Sequence, residues 1–247
     1  MAQFENGSVS ISRIREIVKL PPEDDSTVYS TPDADWPSVG SVEIKCVSMS
    51  PISHLLGSKA DIIIDGVDIN SLSRSHLRKA LSVVAQDPFV WHASIRLNLD
   101  SEEAFADAAI WAALDRVEMS EAVAELPEKP DTILEDGGSL SNGQLQLLCL
   151  SRVLLRRRTI VVLDEASSSL DLHTDEKIRA VIRTELSDCT VIAVAHRIAT
   201  IVDFDFILVM DDGALVEHGT PEDLLARPNS RFARLAASQG IVRNQLQ

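Results

Sequence analysis

Hydrophobic and polar positions follow two periods along this chain. From Val9 to Leu20, apolar Val9, Ile11, Ile14, Ile17, Val18 and Leu20 interleave with Arg13, Arg15, Glu16 and Lys19, the spacing of a short amphipathic helix that must dock on another surface. Residues 21–40 are rich in Pro, Asp, Ser and Thr and read as an extended linker. Residues 1–40 are therefore assigned to a helix and linker, and a folded domain is predicted from about 41 to 240. Val42–Val47 and Ile62–Ile64 read as strands, the second closed by Asp65-Gly66, a tight-turn pair. Leu81–Ala85, Thr159–Leu163 and Thr190–Ala195 are short, mostly β-branched apolar runs of the kind that form parallel strands buried on both faces. Phe206–Met210 and Ala214–Glu217, joined by Asp211-Asp212-Gly213, read as a hairpin. Helical spacing fills Glu102–Leu126, including Trp111, and returns at Leu145–Leu155. Strands alternating with helices predict an α/β domain: a parallel sheet, some antiparallel strands, and a helical subdomain inserted at about 88–150.

Composition narrows the functional classes. The chain has 247 residues, 45% of them hydrophobic and 25% charged, enough for a packed core. Its formal net charge of −15 disfavours nucleic acid as a partner. No apolar run approaches the ~20 residues needed to cross a bilayer. The three cysteines, Cys46, Cys149 and Cys189, are far apart and each sits in an apolar run, which fits buried thiols in a reducing compartment.

Five places carry chemistry. Thr159–Leu163 delivers Asp164 and Glu165 to the carboxyl end of a buried strand, where open α/β sheets bind ligands; Asp164 suits Mg²⁺ and Glu165 suits activation of a water. Two acids capping a strand at the surface is the plainer reading. Ser141, Asn142, Gly143 and Gln144 open an apolar helical segment, so free amides and the helix dipole there favour phosphate, or Ser141 is simply an N-cap. His196 closes the run Thr190–Ala195, where an imidazole can meet a phosphoryl group or serve only structure. Gln86 precedes Asp87-Pro88 at another strand end, where an amide can reach a metal or water. Ser168-Ser169-Leu170-Asp171 reads as a helix cap.

A phosphate-binding P-loop, G-x-x-x-x-G-K-[ST], is missing from the sequence. No Gly-Lys dipeptide occurs; Gly138 and Gly143 have the right separation but are followed by Gln144 and Leu145. Gly57-Ser58-Lys59 is the nearest remnant, in the wrong order.

Taken in order, Gln86, Leu140 to Gln144, Asp164-Glu165, Ser169-Leu170-Asp171 and His196 resemble the Q-loop, signature, Walker B, D-loop and H-loop of an ABC-transporter nucleotide-binding domain. The flanks Asp35-Trp36-Pro37-Ser38-Val39-Gly40, Ile64 to Ile69, Gln86-Asp87-Pro88 and Leu147 to Arg152 resemble the second such domain of the ABCC, multidrug-resistance-associated, exporters. The resemblance implies a RecA-like parallel sheet with antiparallel strands and an inserted helical subdomain, but without the P-loop strand–loop–helix unit. It implies ATP and Mg²⁺ as ligands, with Asp164 and Gln86 toward the metal, Glu165 and His196 catalytic, and Gln86, Leu140, Ser141, Asn142, Gly143, Gln144 and Asp171 toward nucleotide. Another ABC nucleotide-binding domain and the transmembrane domains of an exporter are the implied partners, on the cytoplasmic side of a membrane. The family's Walker A unit needs on the order of 30 residues, and only Ser50 to Asp61 is available, so binding of Mg²⁺–ATP by this chain alone is in question. The adenine-stacking aromatic expected after Val47 is missing, and Leu145 stands where a basic residue is usual. Three functions follow: an impaired ATPase domain of an exporter, a non-catalytic donor of the signature to an intact partner, or a truncated fragment. Soluble ABC ATPases acting on DNA are the runner-up family, disfavoured by charge.

Overall fold

A computed structural model describes residues 29–45, 61–135, 140–164, 172–195, 197–211 and 214–241. The amphipathic segment Val9–Leu20 and the site residues Glu165, Asp171 and His196 lie outside them.

Strands β1 (Val42–Lys45), β2 (Asp61–Ile64) and β3 (Val67–Asp68) form an antiparallel sheet in which Val42 faces Ile64 and Ile64 faces Val67. Asp65 and Gly66 turn between β2 and β3 with positive φ at both residues, as an Asp-Gly pair allows. The Pro- and Asp-rich stretch before β1 is fastened at its end. The Trp36 indole N–H donates to the Ile64 carbonyl at 2.9 Å, and the Asp65 carboxylate accepts the amides of Ser38, Val39, Gly40 and Ser41 at 2.7 to 3.1 Å. Thr159 and Thr190 hydroxyls donate to the carbonyls of Pro37 and Gly40. Gly40 lies so close to Thr159 that a Cβ would meet its Cγ2 at 3.1 Å, and its φ of +78° suits only glycine.

Helix α1 (Arg74–Ala80), N-capped by Ser73, leads into β4 (Leu81–Val84). The inserted helical region follows: α2 (Ile95–Leu99), α3 (Asp107–Arg116), α4 (Ser120–Ala124) and the long α5 (Asn142–Arg156). The single helical block read at Glu102–Leu126 divides into α3 and α4, because Glu118 takes a left-handed φ of 56° between them. Residues before Asp107 stay outside the helix, where the Asp100 carboxylate accepts the Phe105 amide. Next come β5 (Ile160–Asp164), α6 (Leu172–Glu185), β6 (Thr190–Val194), α7 (Ile198–Ile201), the hairpin β7 (Ile207–Asp211) with β8 (Ala214–Gly219), and α8 (Pro221–Ala226) and α9 (Arg231–Ser238).

β4, β5 and β6 run parallel with β5 in the middle; Val84 pairs with Leu163 and Asp164 with Val194. Ile160, Val161 and Leu163 are buried, as expected for a strand covered on both faces. The largest core packs α3 to α6 against β4 and β5 through Leu114, Leu148, Leu150, Val161 and Ile178. Ile62, Ile64, Leu77 and Ile160 join the two sheets, and Ile207, Leu224 and Phe232 hold the hairpin to α8 and α9. The expected α/β architecture is the one observed.

Candidate functional site

Asp164 is the last residue of β5, half-buried at its carboxyl end. Gln86 lies two residues beyond β4, exposed and on the same end of the neighbouring parallel strand. The strand register thus brings one carboxylate and one amide to a single end of the sheet. Both are oxygen donors suited to a hard cation. Among the described residues no cluster of three or more His, Cys, Asp or Glu side chains stands ready to hold a metal.

The segment whose sequence resembles a signature, Leu140 to Gln144, is built with more definition. Ser141 caps α5: its hydroxyl accepts the Gln144 amide at 3.2 Å, and the Gln144 side-chain oxygen accepts the Ser141 amide at 2.8 Å. This reciprocal pair is a capping box. It commits the Gln144 side chain to the helix and leaves the first two helical amides, of Asn142 and Gly143, without an intrahelical acceptor. Ser141 and Asn142 are exposed, whereas Leu140 packs half-buried against the main core. Gly143 is buried, and a Cβ there would meet Thr174 Cγ2 at 2.8 Å and Oγ1 at 3.0 Å. Glycine therefore lets the start of α5 lie against the first turn of α6. The outcome is a helix N-terminus exposed at Ser141 and Asn142 and seated on α6 through Gly143, whose dipole end favours an anion.

Three side chains that sequence reading did not single out hold these parts together. Gln146, 2% exposed, donates its amide to the Ala85 carbonyl at 3.1 Å and so ties α5 to the residue before Gln86. Arg152 donates to the Phe89 carbonyl and to the backbone and side chain of Asn98, and its guanidinium sits 5.2 Å from the Trp91 ring centroid. Burial pushes its pKa down from the ordinary arginine value. On α6, Asp175 is buried and paired with Arg179, whose guanidinium also donates to the Ala199 carbonyl. Gln146 and Arg152 show in the sequence only as polar residues on an otherwise apolar helix face, and their partners lie too far along the chain to be read; Asp175 and Arg179 are an i,i+4 pair within α6.

A parallel sheet with an acid and an amide at its carboxyl end, and a helical insert that presents a capped, glycine-packed helix start, is the domain architecture of ABC-type ATPases. The sequence profile of the ABC transporter family matches residues 45–168, and the chain belongs to that family. Human ATP-binding cassette sub-family C member 2 is 36% identical over 97% of the chain, and ABC transporter C family member 3 of Arabidopsis thaliana is 34% identical over 96%. ABC transporter C family member 13 of Dictyostelium discoideum is 42% identical over 74%. The chain spans only 14 to 18% of the length of these relatives. A bacterial Atm1-family ABC exporter, solved with ATP bound, matches 97% of this chain and 48% of its own with a TM-score of 0.79 at 27% identity. Among the described residues no helix is long and apolar enough to cross a membrane.

Proposed function

We propose that this chain is the second nucleotide-binding domain of an ABCC-type exporter with its Walker A unit deleted, acting on the cytoplasmic side of a membrane beside transmembrane domains and an intact nucleotide-binding domain. Its own acids, Asp164 and Glu165, with Gln86 and His196, belong to a site that no longer hydrolyses ATP at a useful rate. Its signature segment, through Ser141 and the amides of Asn142 and Gly143, completes the nucleotide site of the partner domain.

The observation that carries this reading is the pairing of a fully built signature helix start with a sequence that has no Gly-Lys-[Ser/Thr] anywhere. Mg²⁺ requires six close oxygens, most of them supplied by water and phosphate, and Asp164 and Gln86 offer only two donors. Without a lysine and a glycine-rich loop to place the phosphates, these residues do not by themselves fit Mg²⁺–ATP. Alignment length supports the deletion: the match to the human protein runs over 279 residues yet takes in 97% of a 247-residue chain, so about 39 of its positions fall where this chain has none. That length suits a strand, a loop and a helix.

The test is nucleotide-dependent pairing of the purified chain with an intact ABC nucleotide-binding domain. Pairing is expected with ATP and Mg²⁺, and it should be lost in Ser141→Arg while the thermal melt shifts by only a few degrees, because an N-cap contributes ~1 kcal/mol. Pairing that ignores ATP, or that survives Ser141→Arg, sinks the signature-donor reading. ATP turnover by the isolated chain that disappears in Glu165→Gln sinks the claim of lost hydrolysis. A second reading, a truncated fragment without function, draws on β6: among the described residues it is an edge strand, and every one of its residues is half-buried rather than covered. An absent cooperative melt in the purified chain selects that reading.

A further inference from the structure

We infer a second anion-binding site, for a phosphate-bearing small molecule, in a basic hollow at the end of the sheet opposite Asp164. It is independent of the nucleotide reading above. Three segments form the hollow, of about 330 Å³: Ala34 to Pro37 before β1, His76 and Lys79 on α1, and Arg157 to Thr159 between α5 and β5. That volume is at the small end of the range for ligand sites.

In a chain of net charge −15, the hollow gathers Lys79, Arg157 and Arg158 against one carboxylate, Asp35. Arg157 is shared with Asp188 at 3.0 Å, but Lys79 and Arg158 make no ion pair among the described residues. Lys79 and Arg157 each stand at a helix C-terminus, where a cation complements the carbonyl pole. That explains each one singly. It does not explain why cations from separate segments open onto one hollow beside an indole.

The backbone that carries the hollow is fixed, so its cations are rooted on a set frame. Thr159 holds Pro37 at 2.8 Å, the Trp36 indole is held on Ile64, and the Arg158 carbonyl accepts the Cys189 thiol at 3.3 Å. Arg157 has a left-handed φ of 38° that turns the chain sharply from α5 into β5. Trp36 and His76 lie with ring centroids 6.4 Å apart and form one side of the hollow. Two cations without an ion pair among the described residues suit the oxygens of a phosphate group, and the indole beside them serves as a reporter rather than a ligand. Along β5, Thr159 in this site and Asp164 are about 16 Å apart, five residues at ~3.3 Å each.

The probe is inorganic pyrophosphate, titrated without divalent cations into the full chain while amide and indole N–H resonances are followed. A saturable shift of the Trp36 indole resonance, assigned with Trp36→Phe, is expected. Lys79→Ala/Arg158→Ala should weaken the affinity about tenfold or more, the loss of at least one charge-assisted hydrogen bond. Both side chains are exposed, so the double variant should melt with the parent; the single Arg158→Gln gives a smaller loss in the same direction. No saturation into the millimolar range, or an affinity unchanged in the double variant, overturns the proposal. ATP in the same assay separates the sources: an affinity similar to that of pyrophosphate supports recognition of phosphate, whereas a Trp36 shift with ATP alone means a base is read and the proposal fails. None of these outcomes depends on pairing with another domain or on binding at Asp164, so this site and the signature-donor role fail separately.

Discussion

Replacing Gly143 by alanine tests how the signature helix is seated. The added methyl would sit 2.8 Å from Thr174 Cγ2, 3.0 Å from its Oγ1 and 3.3 Å from its Cβ, and the first of these is closer than real Cβ atoms come. Either Thr174 changes rotamer or the starts of α5 and α6 move apart. Overpacking of this kind costs about 1–3 kcal/mol, offset by up to about 1 kcal/mol because alanine favours a helix over glycine. The net expectation is a loss of about 1–2 kcal/mol, or ~2–8 °C in a domain of this size. Urea and thermal melts of Gly143→Ala, Thr174→Ser and the double variant form the assay. Serine keeps the hydroxyl and removes the nearest methyl, so the double variant should recover about half of the loss, with a coupling above about 0.5 kcal/mol. Strict additivity of the two changes, or a Gly143→Ala protein as stable as the parent, refutes the claim that glycine is required by the neighbouring helix.

Three further outcomes are expected. Asp65 carries a carboxyl that burial pushes up but that the amides of Val39, Gly40, Ser41 and Ser38 together hold below its ordinary value of 3.8. The unfolded chain then binds the proton more tightly, so the stabilisation is present above the ordinary value and fades as pH falls through the lowered folded one; Asp65→Asn, which tolerates the φ of 46°, should flatten the acid limb of a melt-versus-pH curve. Arg152→Ala removes a largely buried guanidinium and its bonds to Phe89 and Asn98, and should lower stability by about 2–4 kcal/mol in urea. Arg152→Lys should recover less than half of that, because an ammonium cannot reproduce the planar fork. Ser141→Ala should cost about 1 kcal/mol through the lost cap, read as fraying of the first turn of α5 by amide hydrogen exchange.

What could be read from the sequence was whatever a short local pattern encodes. The run Thr159–Leu163 announces a strand covered on both faces, and Asp65-Gly66 announces a tight turn, because each is decided by neighbours along the chain. Ser141 announces a helix start for the same reason. Helices α2 and α7, of five and four residues, passed unread because so few positions cannot express a 3.6-residue period. The division of the Glu102–Leu126 block rests on one left-handed residue, Glu118, which is not among the residue types that favour that conformation. At the site, Gln146 and Arg152 depend on partners 54 to 63 residues away, and no spacing rule reaches that far. Gly143 looked like a helix-start residue; only packing against Thr174 shows why a larger side chain fails there.

The two halves of the site rest on different foundations. The signature helix is held by a core that the described residues complete among themselves: Leu147, Leu148 and Leu150 pack with α3, with β4 and with the buried side of β5, and the capping box closes its exposed end. The carboxyl end of the sheet has no such closure. Among the described residues, β6 pairs with β5 on one side only, and the hairpin β7–β8 forms a separate sheet. Its outward residues Leu208, Met210 and Val216 are 37 to 45% exposed. Unpaired strand edges and uncovered apolar faces are what loss of a central strand with its helix leaves behind. On the proposed deletion, the loss that removes the phosphate grip weakens the scaffold under Asp164 and spares the scaffold under Ser141. That asymmetry is what the proposed signature-donor role requires: the helix start offered to a partner stays seated while the domain's own acid end is left less supported.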